Sequence, residues 1–432
     1  MNTHPTLDSS SATRRSFLGR MAAAGAAVAA PGILPSRAQG ANDRLGVGFI
    51  GSGGRAGAHM EMVRRIRDGG AAVDLVACCD IYRPRVDRRK QEFGFPRSYR
   101  DHRELLADPD IDVVCIATPD HWHAGHALDA VKAGKHVYCE KPLSHWSQFE
   151  ATRALADAVA ASKVAFVCGT QAMSDPVWRQ MKKLVADGLI GQPVHAEAGF
   201  FRTGDWGERG MTVDDPNAKP GPDLDWEAFL GPDRPKRPFS VDRFFRWRMF
   251  EDYAGGPVTD LYPHCLAQVM DVLGLGFPEA VTGMAGIFRY PDPLREVPDT
   301  FQLLAQFPNK VALTVQGTQA NDFQSTPRRG AGQRCPVIRG WEGALTIEGN
   351  REIVFHPAEG SSKQPQKIPI EGGEDNVALW RNLLDAARAG SRDTWSPMDL
   401  AFRTQTVLQM AMLSSRAGKV CRFDAEKRTI LV

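Results

Sequence analysis

Between residues 44 and 170 the chain repeats one pattern: a short apolar run, a turn, then a segment with helical spacing. The runs are RLGVGFIG, VDLVACCD, DVVCIATP, HVYCEK and KVAFVCG. They are near-continuous in Val, Ile, Ala and Cys, so each predicts a strand covered on both faces. The segments between them, such as HAGHALDAVKAGK, carry helical spacing and stop at a glycine. Repetition of this kind specifies a parallel, doubly wound α/β domain.

After residue 170 the pattern changes. DPVWRQMKKLVADGLIG predicts a helix closing on Gly188, and PVHAEAGFFR starts a set of strands. DTFQLLAQFPNKVALTVQGTQ predicts a hairpin about Pro308 and Asn309, with Phe301, Leu303, Ala305 and Phe307 on one face. That alternation means a large, mainly antiparallel open sheet with one covered side. A stretch rich in Gly, Pro and Asp, residues 203–243, is too long for a simple connector. Its Trp206, Trp226, Phe229 and Phe239 favour an ordered loop over a disordered one. NVALWRNLLDAARAG and MDLAFRTQTVLQMAMLSSRAGK form a helical tail. The expected organisation is a segment 1–38, a nucleotide-binding domain 39–170 and a second α/β domain 171–432.

The first 38 residues read as a leader. TRRSFLGR carries paired arginines before Phe17 and Leu18, a short Ala-rich apolar core follows, and Ser36 and Ala38 flank a cut site. This is a twin-arginine export signal, which predicts a periplasmic or otherwise exported protein and the twin-arginine machinery as a partner. Its loss removes Arg14, Arg15, Arg20 and Arg37 against Asp8, taking the formal charge from +2 to −1. A chain without basic excess has no footprint for nucleic acid. The eight cysteines make no C-x-x-C pair and mostly sit in apolar runs, so they are expected as buried free thiols.

VGFIGSGGRAGAHM places Gly51, Gly53 and Ala56 in the G-x-G-x-x-G/A pattern. Gly51 permits a tight turn, Gly53 lets the backbone approach a pyrophosphate, and Ala56 lets helix pack on strand. Gly54 and Arg55 belong to the same turn. The second strand ends in Asp80, where a ribose 2′-hydroxyl would be held. Asp80 repels a 2′-phosphate, favouring NAD, whereas nearby Arg83 keeps NADP open. Thr118, Pro119, His121 and His123 follow the fourth run. His121, His123 and His126 lack the Cys or carboxylate partners of a metal site, so they are expected to cap a helix and line the nicotinamide pocket.

Glu140 and Lys141 end the HVYC strand, where ligands of an open parallel sheet bind. Pro142 restricts the backbone there and aims Lys141 into the cleft. In GGPVTDLYPHCLAQVMDVLG, Thr259 or Asp260 caps a helix running from Leu261, and Pro263 lies in its first turn. Asp260 and His264 would share a face, with Asp260 ionised and His264 neutral beside the helix N-terminus. A neutral imidazole is what a general base requires.

The Gly51-x-Gly53 turn, Glu140-Lys141-Pro142 and the D-x-x-x-H of residues 260–264 together resemble the Gfo/Idh/MocA family of oxidoreductases. The resemblance runs from about residue 44 to the C-terminus and is most specific in TPDHWHAGHALDAVKAGKHVYCEKPL. It implies a Rossmann domain followed by an α/β domain whose open sheet mediates homo-oligomerisation. The implied activity is hydride transfer at a hydroxyl carbon of a sugar, inositol or related polyol, with a nicotinamide cofactor. It further implies that Lys141 stabilises the reacting oxygen, His264 takes its proton, and Asp260 binds a neighbouring hydroxyl and orients His264. Tyr262 is a lesser candidate for the base. Trp206, Trp226, Arg246 and Trp247 are expected as substrate walls, with Tyr262 also placed among the substrate contacts. Export separates the enzyme from the cytoplasmic NAD pool. The alternative is therefore a redox-neutral enzyme with retained NAD, a sugar–sugar oxidoreductase or a glycoside hydrolase or lyase. A non-catalytic sugar or nucleotide sensor is the third reading, and it has no need of Lys141, Asp260 and His264 together.

Overall fold

A computed structural model of the protein describes Met1, residues 44–329 and residues 333–432. The expected export signal, from Thr13 to Ala38, lies outside the described residues. Strands β1 (Leu45–Ile50), β2 (Val73–Cys79), β3 (Arg97–Tyr99), β4 (Val113–Ile116), β5 (His136–Cys139) and β6 (Phe166–Cys168) form one sheet in the order β3-β2-β1-β4-β5-β6. Every pairing in it is parallel. The absence of polar alternation has a direct cause. In β4, Val113 and Cys115 enter one hydrophobic cluster while Val114 and Ile116 enter another, on the opposite face. Each such side chain, fully withdrawn from water, contributes about 1.5–3 kcal/mol. The strand order reverses between β1 and β4, and the crevice above their carboxyl ends is where such sheets bind ligands.

The second sheet contains β7 (Pro193–Phe201), β8 (Ala280–Gly286), β9 (Thr300–Gln306), β10 (Ala312–Thr318), β11 (Arg328–Arg329), β12 (Gln333–Gly340), β13 (Gly343–Glu348), β14 (Glu352–Pro357), β15 (Gln366–Pro369), β16 (Cys421–Asp424) and β17 (Thr429–Leu431). Its order is β15-β14-β13-β12-β7-β10-β9-β8-β16-β17, with β11 beside β12. β7 and β10 pair in parallel. The other pairings among the described residues are antiparallel. The β9–β10 hairpin turns at Pro308 and Asn309 as expected, burying Phe301, Leu303 and Ala305 while Gln302, Leu304 and Gln306 face solvent. Helices Pro263–Val272 and Met398–Ala417 cover the buried side.

One expectation about organisation changes, and the insert is ordered as expected. The second domain does not run unbroken to the C-terminus. Helix Asn376–Ala389 returns to the nucleotide domain, where Leu379, Trp380, Leu383 and Leu384 share a cluster with Val47, Phe49, Val63 and Tyr138. Ser396 then accepts a hydrogen bond from Cys168 N, at the edge of the parallel sheet. The Gly/Pro/Asp-rich insert is ordered, with helices Trp226–Leu230 and Val241–Phe245. It builds its own core from Leu224, Trp226, Phe229, Phe244, Phe245 and Tyr253, into which Tyr82 of the nucleotide domain is inserted. The eight cysteines are free and buried.

Candidate active site

The site begins at the glycine turn. Gly51 has φ +94, and a Cβ there would stand 2.6 Å from Ala117 O, so no other residue fits. The helix Gly54–Asp68 starts from Gly53 with no side-chain cap, leaving its first N–H groups available. A Cβ at Gly54 would meet nothing within 4 Å, so the turn faces open space. Ala56, in the first turn of this helix, is buried among strand residues of the parallel sheet. Free N–H groups, a positive helix end and room above them suit a pyrophosphate. Asp80 accepts hydrogen bonds from Ser52 N at 2.7 Å and Tyr82 N at 2.9 Å, which hold its carboxylate at the end of β2. Burial raises its pKa, and the Arg85 charge opposes that. Arg83, expected to bear on the 2′-phosphate question, pairs instead with Asp223, and Arg85 and Arg88 line the cleft.

A cavity of about 830 Å³ lies above this turn. Its walls include Gly51, Gly53, Gly54, Arg55, Asp80, Thr118, Pro119, His123, Glu140 and Lys141, all expected at the cofactor. From the insert comes Phe229, and from the segment just after it Trp247 and Arg248.

Glu140 and Lys141 are adjacent and turn opposite ways. Glu140 points inward, where it accepts from Arg55 Nε at 2.7 Å and Gln171 Nε2 at 2.9 Å. His59 Nε2 is 2.8 Å from the same oxygen. Trp380 Nε1 donates to His59 Nδ1 at 2.9 Å, which fixes the ring as the Nε2–H tautomer donating to Glu140. Burial acts against the charge of Glu140, yet Arg55 and His59 hold its carboxyl well below the usual range. Lys141 points into the cavity. Its ammonium donates to Asp260 Oδ1 at 2.7 Å and to Asp260 O at 2.6 Å.

Asp260 ends a short helix, Pro257–Asp260, and the next helix begins at Pro263. Asp260 therefore caps nothing. Burial opposes its charge, but Lys141 and then Arg248, whose Nε lies 3.4 Å from Oδ1, keep its carboxyl below the ordinary range. Asp260 thus orients Lys141 rather than His264. His264 follows one turn later, half-buried beside Phe200. Its ring makes no hydrogen bond among the described residues, and it is not part of the wall of the main cavity. Burial first, and the Lys141 charge second, depress its imidazole to about 3. The two groups share an electrostatic neighbourhood, and His264 is neutral.

Several expected contacts fall elsewhere. Tyr262 is buried in the core, its hydroxyl donating to Phe301 O, and it reaches neither cofactor nor substrate. Trp206 is 63% exposed, with the Arg202 guanidinium stacked on it. Trp226 stacks on Phe229 inside the insert. Arg246 pairs with Asp242, whereas Arg248 lines the cavity and stacks on Trp247. His121 bonds Phe229 O, His123 lies between Pro142 O and Thr118 O, and His126 stacks on Trp122, so the three do not converge. His121 is therefore not a cofactor contact. The residues missed were His59, Gln171, Arg248 and Trp380. His59 had a signal: it follows Arg55 by four positions, on the helix face that meets Glu140.

His121 also sets a pH dependence. Burial lowers its pKa to about 3, below the ordinary 6.5. The unfolded chain therefore takes up its proton near pH 6.5 and the folded chain does not. Stability is complete above pH 6.5 and falls by about 1.4 kcal/mol per unit below it for each such histidine. Thermal melts should lose stability steadily from pH 6.5 to pH 5, and His121→Gln should melt with a shallower slope. Equal slopes would contradict the assignment.

Three family models match the chain. "Oxidoreductase family, NAD-binding Rossmann fold" covers residues 45–170, "Oxidoreductase family, C-terminal alpha/beta domain" covers 174–280, and "GFO/IDH/MocA C-terminal domain" covers 228–346. A levoglucosan dehydrogenase of Pseudarthrobacter phenanthrenivorans is 35% identical over 136 residues, 32% of this chain and 31% of that protein. A myo-inositol 2-dehydrogenase of Thermotoga maritima is 31% identical over 147 residues, 34% and 42% of the two chains. An alpha-N-acetylgalactosaminidase of Shewanella oneidensis is 32% identical over 175 residues, 37% and 36%. The chain thus matches less than half the length of these relatives. A levoglucosan dehydrogenase solved with NADH and levoglucosan superposes with a TM-score of 0.66 at 21% identity, covering 88% of this chain and 99% of that one, which is a likeness of fold.

Proposed function

We propose, because this chain belongs to the Gfo/Idh/MocA oxidoreductase family, that it transfers a hydride to or from a hydroxyl-bearing carbon of a sugar, inositol or related polyol, with NAD as its cofactor. The observation that carries this reading is Lys141, held by Asp260 in a cavity floored by the glycine turn. An ammonium has three N–H donors. Two go to Asp260, and the third is left for the reacting oxygen, where it stabilises the negative charge that grows as the proton leaves. His264 lies outside the cavity wall but within reach of the Lys141 charge, and it is neutral. It makes no hydrogen bond among the described residues, and it takes that proton if the substrate extends to it. The nicotinamide, when bound, supplies the acceptor or donor of the hydride. The test is a panel of sugars, inositols and their keto forms read at the nicotinamide absorbance. No change with any member would defeat the proposal.

A second reading, that the cofactor is retained and the net reaction redox-neutral, is favoured by the insert. The insert is stitched to the nucleotide domain around Tyr82: Arg85 Nε bonds Asp214 Oδ2 at 2.6 Å and Arg83 N bonds Asp223 O at 2.9 Å. Cofactor release under this roof requires those contacts to open. Retention suits a cycle in which a carbinol is oxidised and the hydride later returned, as in transfer between two sugars or cleavage of a glycoside. The stretch shared with alpha-N-acetylgalactosaminidase supports the glycoside version. Denatured purified protein should release nicotinamide dinucleotide, and Asp214→Ala should speed its loss by about tenfold, the effect of 1.4 kcal/mol. Protein purified empty would count against retention.

TRRSFLGR supports export in the folded state by the twin-arginine machinery, which would carry a bound cofactor out of the cytoplasm. Met284 and Leu304, 77% and 55% exposed on the uncovered side of the second sheet, support a homo-oligomer assembled through that face.

A further inference from the structure

Arg248 is a poorly satisfied cation of the cavity wall. Among the described residues its Nη1 bonds only Met211 Sδ, at 3.9 Å, and a thioether is a weak acceptor. Its Nε is buried without a hydrogen bond, since Asp260 Oδ1 at 3.4 Å lies outside bonding geometry. Nη2 makes no hydrogen bond among the described residues. The guanidinium is nonetheless fixed, because its carbon sits 4.3 Å over the Trp247 ring.

Its neighbours leave positive charge over. The Asp260 carboxylate is engaged by Lys141. Asp120 is buried at the start of its helix with Oδ1 unpartnered, and burial raises its carboxyl to about 7 despite the Arg248 charge. Two cations of the cavity wall, Lys141 and Arg248, therefore share one oxygen of the Asp260 carboxylate. A planar fork of donors held in place, with few protein acceptors, matches the two oxygens of a carboxylate.

We propose that Arg248 forms a carboxylate subsite and that the substrate is a sugar acid, a uronate or an aldonate. Its carboxylate sits on the Arg248 fork and its reacting hydroxyl lies at Lys141. Both cations approach Asp260 Oδ1, so the acid group and the reacting hydroxyl lie near one another on the substrate. This deepens the hydride-transfer reading and rests on Lys141 holding the reacting oxygen.

The test uses the full chain loaded with NADH or NAD. Calorimetry measures binding of D-glucuronate, D-galacturonate and D-gluconate against D-glucose, D-galactose and D-glucitol, and absorbance measures turnover of the same six. The wild type should bind at least one acid about tenfold or more tightly than its neutral counterpart. Arg248→Gln should weaken that acid by about 30-fold or more, the loss of two charge-assisted hydrogen bonds. The same variant should bind NADH as the wild type does, and Arg248→Lys should recover part of the loss. Equal or tighter binding of the neutral sugars overturns the subsite. So does an unchanged acid affinity in Arg248→Gln, or binding of none of the acids. Arg248-dependent acid binding without any absorbance change leaves the subsite standing and defeats net hydride transfer instead.

Discussion

Replacing Lys141 with methionine is expected to lower turnover by about 10³-fold, the scale for removing one donor from a developing oxyanion, with NAD binding nearly unchanged. Methionine fills a similar volume and keeps the apolar stem. Cofactor contacts at the glycine turn and Asp80 do not depend on the ammonium. What changes is Asp260. Without Lys141 the buried carboxylate keeps the Arg248 and Arg202 charges but loses its hydrogen-bonded cation, so burial raises its pKa against weaker opposition. Removing one member of a buried pair costs about 3–5 kcal/mol. Lys141→Met should therefore melt at lower temperature, and Lys141→Met/Asp260→Asn should regain part of that stability, since the buried carboxylate is gone although Arg248 loses its counter-ion. Turnover should stay low in both. If the double variant regained activity together with stability, the lysine would be a structural partner of Asp260 and not a ligand of the reacting oxygen.

The parts of this site that local pattern encodes were visible in the sequence. β1, β2 and β4 lack polar alternation because both of their faces are buried, and Gly51 stands where only glycine fits. Glu140 and Lys141 were placed because a strand's carboxyl end in a parallel sheet is a ligand position. Errors arose where a small change in backbone direction decides which of two similar side chains points inward. His121 and His123 lie two positions apart on one helix, about 200° around its axis, so one turns to Phe229 and the other to Pro142. Arg246 and Arg248 are divided in the same way, with the first 3₁₀ turn of Trp247–Met249 directing Arg248 to the cavity. Tyr262 precedes the helix that Pro263 opens, and it drops into the sheet core while His264 does not. Trp380 left no local trace. Its contact with His59 spans 321 positions and depends on a tail helix returning to the first domain, which neither periodicity nor spacing records.

That long-range contact supports the second large effect, at Glu140. Four donors converge on its carboxylate: Arg55, His59, Gln171 and the backbone N–H of Lys141, the last at 3.2 Å. A Cβ on Gly169 would stand 2.9 Å from the Glu140 carboxyl carbon, so there is no slack for the group to move. Glu140→Ala leaves the His59 N–H and the Gln171 amide buried and unpartnered, and Arg55 without its counter-ion. The cost expected is about 3–5 kcal/mol of folding stability. Glu140→Gln preserves shape but sets amide hydrogens against donors, so it should lose less, about 1–3 kcal/mol. Trp380→Phe keeps the stacking on Tyr138 and removes only the N–H to His59, and about 1 kcal/mol is expected. The pH dependence carries its own sign. The folded carboxyl titrates well below the usual 4.5, so its contribution is complete above pH 4.5 and is lost as the pH falls beneath it. Glu140→Gln should consequently flatten the wild-type loss of stability below pH 4.5 while leaving the histidine-driven slope from pH 6.5 to 5 untouched. Denaturant melts at several pH values separate the two. A Glu140→Ala protein within 1 kcal/mol of wild type would mean that the four donors find other partners, and that Lys141 owes its direction to Pro142 and Asp260 alone.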